Sequence, residues 1–152
     1  MKHYTIQGIL LGVIIGIAVG IGAYTFAYAR GWSYLTDDPA ACANCHVMRE
    51  QFDGWLKSSH RAVASCNHCH TPSNLVGKYA TKASNGFWHS FYFTTGGYEE
   101  HIQIKPHSRA ITEQACRGCH REIVDAVEPS HPATAAGQLA CLRCHASVGH
   151  LH

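Results

Sequence analysis

The pattern Cys-x-x-Cys-His occurs four times in this chain and takes up all eight of its cysteines. The copies are Cys42-Ala43-Asn44-Cys45-His46, Cys66-Asn67-His68-Cys69-His70, Cys116-Arg117-Gly118-Cys119-His120 and Cys141-Leu142-Arg143-Cys144-His145. Two cysteines at this spacing form thioethers to the two vinyl groups of one haem, and the adjacent His then falls under the iron. Zinc ribbons also use paired Cys-x-x-Cys units, but zinc has no use for a His after every second Cys. Disulfides would suit an oxidising compartment, yet they leave the repeated His unexplained. The pattern therefore predicts four covalently bound haem c groups.

That cofactor load limits the fold. About 120 residues follow the N-terminal segment, roughly 30 per haem, and a polypeptide so small buries little apolar surface of its own. The macrocycles must form most of the core, wrapped by short helices and loops. Motif starts lie 24 residues apart in the first pair (Cys42, Cys66) and 25 in the second (Cys116, Cys141), with 45 residues between the pairs. This is compatible with a duplicated two-haem unit. Leu75–Lys82 and Glu122–Val127 read as helical, and Phe91-Tyr92-Phe93-Thr94-Thr95 reads as extended. Asp37-Asp38-Pro39 opens a turn or helix after a short connector. The expected class is mainly α with irregular loops: one N-terminal transmembrane helix plus a small multihaem c-type cytochrome domain.

Ile6 to Tyr28 contains no charged residue, and about 20 apolar residues suffice to span a bilayer. The run is longer than the apolar region of a cleaved signal peptide, which favours an uncleaved anchor. Tyr24, Tyr28 and Trp32 near its end have the character of interfacial aromatics. We take residues 1–29 as the anchor and 30–152 as the haem domain. Haem attachment to this motif takes place outside the cytoplasmic membrane, so the domain is expected on the periplasmic side of a single-pass inner-membrane protein. Gly8, Gly12, Gly16 and Gly20 line one face of the anchor at a spacing that allows close helix approach, either to a second copy or to a partner helix. The formal net charge of +2 gives no basic stripe of the kind nucleic acid demands.

Each iron needs a sixth ligand or an open position. Outside the motif positions His46, His70, His120 and His145, the best candidates are His60, six residues before the second motif, His131 between the third and fourth, and His150, five after the last. The first motif continues His46-Val47-Met48. A Met here either packs or replaces His46 on the iron as a soft ligand that raises the potential.

These residues resemble the NapC/NirT group of membrane-bound quinol dehydrogenases, and within it the NrfH subgroup. The resemblance covers nearly the whole chain: the anchor, Cys-x-x-Cys-His-x-Met, Ser58-Ser59-His60, the Lys78…Lys82…His89 stretch and Gly149-His150. It implies that Met48 binds the first iron and displaces His46. His60 and His150 would be distal ligands of the fourth and third haems. Some members carry an Asp at the position of His89, which would ligate the first iron or meet a bound quinol. His131 matches the distal ligand of the second haem in part of the group; in other members a partner lysine substitutes. The resemblance further implies a quinol site at Lys82, with Lys78 one helical turn away on the same face and His89 as a group of near-neutral reference pKa.

The implied activity is oxidation of menaquinol and delivery of electrons to the pentahaem cytochrome c nitrite reductase, NrfA, which reduces nitrite to ammonium. Nothing in this chain reduces nitrite itself. A NapC-like donor serving other periplasmic reductases is the nearest alternative. A haem sensor should carry an output domain, and a storage cytochrome would not need a quinol site.

Overall fold

The computed structural model describes residues 5–99, 101–130 and 139–150. They form two units, one up to Ser33 and one from Tyr34 onward. Among the described residues every regular element is helical.

The first unit is α1, Ile6–Tyr28. Its bounds coincide with the uncharged run because nothing in that run breaks a helix. Thr5 caps it, its hydroxyl accepting from the Gly8 amide at 3.3 Å. By length and composition α1 can cross a membrane. The helix stops where Arg30 takes a positive φ of 50°. Gly31 then passes so close to Phe26 that a Cβ would stand 2.3 Å from the ring.

Among the described residues the second unit holds seven α-helices: α2 (Pro39–Cys42), α3 (Arg49–Lys57), α4 (Cys66–His70), α5 (Leu75–Thr95), α6 (Pro106–Cys119), α7 (Arg121–Val127) and α8 (Cys141–Cys144). Asp38 starts α2 by accepting from the Ala40 amide at 2.9 Å, with Pro39 in the first turn where its missing N–H costs nothing. The four motifs sit at the end of α2, along α4, at the end of α6 and along α8. These helices pack in succession, α2 on α4, α4 on α6 and α6 on α8. Glu113 of α6 joins the last pair by accepting from the amides of Cys141 (2.8 Å) and Leu142 (3.0 Å). Burial pushes its carboxyl up, but these N–H groups outweigh burial and hold it below the ordinary value.

Among the described residues, Ile111 is the one large apolar side chain that is buried. The expectation that the polypeptide supplies almost no core is met.

The extended reading of Phe91–Thr95 is overturned: α5 runs on through these residues. Phe87 stacks on Phe91 and Trp88 on Tyr92, each pair one turn apart. Thr94 and Thr95 donate their hydroxyls to the carbonyls of Ser90 and Phe91. Only at Gly96, with φ of 72°, does the left-handed cap end the helix.

Candidate functional site

Two histidines meet across each of two gaps. The His60 and His120 rings have centroids 6.1 Å apart, and those of His70 and His150 are 6.0 Å apart. Two imidazoles on opposite sides of one metal, each bonded at about 2.0 Å, have centroids roughly 6.3 Å apart. The free ring nitrogens are set for that role. His60 donates from Nδ1 to the Val148 carbonyl at 3.3 Å, and His150 donates from Nδ1 to the Gln51 carbonyl at 2.8 Å. A histidine ligating through Nε2 characteristically anchors its other nitrogen in this way. Among the described residues no third or fourth His, Cys, Asp or Glu joins either pair. Such a site suits a metal whose equatorial donors come with the cofactor, as in haem.

These pairings differ from those implied by resemblance. His60 faces the His of the third motif rather than the fourth, and His150 faces the His of the second rather than the third. The chain fold accounts for this: the Val148–His150 segment crosses back to α3 and the turn after it. His131, expected on the second haem, lies outside the described residues. His145 has no ring partner among them. His68 is used locally, its Nδ1 meeting the amide and hydroxyl of Ser65 at the start of α4.

At the first motif, His46–Met48 is a short 3₁₀ turn. Met48 is partly buried while His46 is exposed, which suits Met48 as the residue directed to a cofactor.

The inner face of α5 carries Lys78, Lys82, Gly86 and His89. Lys82 is only 6% exposed, and its ammonium donates to the Thr36 carbonyl at 2.7 Å and to Asp37 Oδ1 at 2.9 Å. An ammonium has three donors, so one remains. Lys78 pairs with the other oxygen of Asp37, and Asn67 donates to Asp37 Oδ1 at 2.7 Å. Further along α5, Tyr34 packs over Gly86 and its Oη shares a 3.0 Å hydrogen bond with His89 Nδ1. Burial, then the nearby Cys45 and Cys42, pushes the Tyr34 phenol up to about 12. Burial, and then Lys105, holds His89 below the ordinary imidazole value, so the ring is neutral at physiological pH. Lys82 in turn lies close to Cys42 of the first motif. Lys78, Lys82 and His89 therefore gather beside the first attachment motif. Asp37 and Tyr34 are the residues that sequence reasoning passed over.

Hydrogen bonds from Lys78 and then Lys82 bring the Asp37 carboxyl from its ordinary 3.8 down to about 2. A depressed carboxyl stabilises the fold fully above its unfolded value, and that contribution is lost as pH falls towards the folded value. Asp37 is half exposed, so the effect is screened and amounts to no more than ~1 kcal/mol. Asp37→Asn should therefore lower stability slightly at pH 7, with the difference shrinking from pH 4 downward and vanishing near pH 2. Denaturant titrations of both proteins across that range check it; a difference that grows on acidification would contradict the assignment.

The attachment sites themselves form a series. The Cys42 and Cys66 thiols lie within hydrogen-bonding reach. The helices that carry the other attachment cysteines follow in the same order, α4 on α6 and α6 on α8.

Comparison with known proteins identifies the family. Residues 2–152 match the N-terminal region of the NapC/NirT cytochrome c family. The chain belongs to that family. It is 36% identical over 135 residues to the cytochrome c-type protein NrfH of Wolinella succinogenes, covering 84% of this chain and 76% of the relative. It is 28% identical over 123 residues to the cytochrome c nitrite reductase subunit NrfH of Nitratidesulfovibrio vulgaris, covering 81% and 73%. A chain in the crystal structure of the cytochrome c nitrite reductase NrfHA complex bound to the inhibitor HQNO superimposes with a TM-score of 0.63 at 26% identity, covering 90% of this chain and 88% of that one. As a family member the chain is a c-type cytochrome with covalently bound haem c, and α1 agrees with a single-pass inner-membrane protein.

Proposed function

We propose that this protein oxidises menaquinol at the inner face of α5 and passes the electrons to a periplasmic pentahaem cytochrome c nitrite reductase, NrfA. The observation that carries the reading is the convergence of Lys78, Lys82 and His89 on Thr36, Asp37 and Tyr34 beside the first haem motif. Similarity to the two NrfH proteins and to the NrfHA complex supports the choice of partner.

Quinol oxidation releases two electrons and two protons, so the site must hold the quinol oxygens and take up protons. Lys82, fixed by two acceptors, offers its remaining N–H to one quinol oxygen. Asp37, ionised far below neutral pH, is too weak a base to accept a proton and serves to hold both lysines. His89 is neutral with Nδ1 tied to Tyr34, leaving Nε2 as the atom that faces a ligand. A neutral imidazole is what both of its expected roles require, iron ligand and proton acceptor.

We assign four haems: Cys42 and Cys45 with Met48; Cys66 and Cys69 with His70 and His150; Cys116 and Cys119 with His120 and His60; Cys141 and Cys144 with His145. His131 stays a candidate for an iron the described residues leave with one protein ligand. Bound haem supplies one-electron redox chemistry, and the packing of α2 on α4, α4 on α6 and α6 on α8 supports that order from the quinol site outward. The haem domain is assigned to the periplasmic side.

Proteoliposomes of the holoprotein should show haem reduction on addition of menaquinol and, with NrfA present, consumption of nitrite. Absence of quinol-dependent reduction in protein that dithionite reduces fully would refute the proposal. Met48→Leu should change the spectrum and lower the potential of one haem out of four, since the soft thioether raises it. Potentiometric titration with four unchanged components would rule Met48 out as a ligand.

A further inference from the structure

The two charged residues of α5, Lys78 and Lys82, both point inward, and the opposite face is uncharged and, apart from Ser84, Ser90 and Thr94, apolar. That outer face carries Val76, Ala80, Ala83, Phe87 and Phe91, all exposed, with Phe87 at 62% and Val76 at 81%. Trp88 (45%) flanks it, and Tyr98 follows just beyond the helix end. From Ala83 to Tyr98 the chain has no Asp, Glu, Lys or Arg. This is the reverse of the pattern for a helix at a water-facing surface, whose polar side faces solvent. Contiguous exposed apolar surface of this kind marks an interaction site.

We infer that the outer face of α5 lies in the interfacial layer of the lipid bilayer, as an in-plane helix. Two observations select lipid over a protein occupant. First, the chain carries its own membrane span, and Tyr34, six residues beyond the end of α1, is already packed on α5 at Gly86. Six residues reach about 20 Å at most, so α5 is tethered near the membrane surface. Second, the composition is that of an interfacial belt: Trp88, Tyr92 and Tyr98 are amphipathic aromatics. Lys105, its ammonium 4.5 Å from the Tyr92 ring centre, supplies a cation at the rim for anionic headgroups. A helix with one apolar face and a polar opposite face lies in the plane of the membrane. The inference does not depend on what Lys82 binds.

The test uses the full-length holoprotein in native membranes. Photoactivatable diazirine phospholipids are cross-linked to the unmodified protein and the adducts mapped by mass spectrometry. Adducts are expected in the Ala83–Tyr98 segment as well as in α1; adducts confined to α1 would overturn the proposal. A photoreactive p-benzoylphenylalanine is then placed at Phe87 or Phe91, with Ile123, exposed on α7, as the reference position. Lipid products several-fold above those at Ile123 support the inference. Products with a second copy, with the reductase or with any other protein refute it, as does a lipid yield no higher than at Ile123. Intact haem absorption confirms that each variant has matured.

Discussion

Replacing Lys82 by alanine is expected to slow menaquinol-dependent haem reduction by roughly 10- to 150-fold while leaving the dithionite-reduced spectrum unchanged. The magnitude follows from the loss of a charge-assisted hydrogen bond, worth about 1.5–3 kcal/mol. Lys82 is buried, and Thr36 and Asp37 hold its ammonium in one place, so little is spent on ordering it when quinol binds. The same change leaves the Thr36 carbonyl without its lysine partner, while Asp37 retains Lys78 and Asn67. Some disorder of the 36–37 segment should accompany the loss, but the haem motifs hold their own helices. Stopped-flow reduction by menaquinol in proteoliposomes measures the effect. A variant reduced as fast as wild type would show that Lys82 is not in the quinol site.

The second large effect is expected from the distal histidines. His150→Ala should convert the haem held by Cys66, Cys69 and His70 from low-spin to high-spin and leave that held by His120 untouched. His60→Ala should do the reverse. The expectation rests on ring separations of 6.0 and 6.1 Å and on Nδ1 of each distal ring being tied to a carbonyl. On the proposed succession of sites, each variant should also interrupt delivery to nitrite reductase, with quinol still reducing the first site. Electron paramagnetic resonance, with each signal assigned by pairing these changes with His70 and His120 variants, reads the outcome directly. A high-spin signal traced to the third motif in His150→Ala would restore the assignment implied by resemblance.

The parts of this molecule that follow from local chemistry were legible in the sequence. Ile6–Tyr28 is a helix because an uncharged run of that length has no better conformation in a membrane. The four motifs carry their cofactor in their spacing. What escaped reading was long-range. Asp37 lies 41 residues from Lys78 and 45 from Lys82, and Tyr34 lies 55 from His89; no periodicity marks such partners. For the same reason the spacing singled out His60 and His150 as candidate ligands without showing that they would face His120 and His70, since proximity in sequence says little about which ring faces which. Phe91–Thr95 was misread for a different reason. Its aromatic and β-branched residues favour strands in isolation, but stacking with Phe87 and Trp88 and the stop at Gly96 made the helix the better continuation.

The near absence of buried apolar side chains in the second unit bears on how this protein comes into being. A domain whose described residues bury Ile111 and no other large apolar side chain has no collapsed state to wait in. Its chain cannot fold first and take up cofactor later; each attachment must build a wall of the interior as it is made. Maturation and folding are then one process with the stability of the product set by the number of attachments completed. A chain that misses one attachment is not a slightly weaker carrier but an unfinished structure, exposed to the proteases of its compartment. Functional integrity is thereby policed by structural integrity, without a separate inspection step.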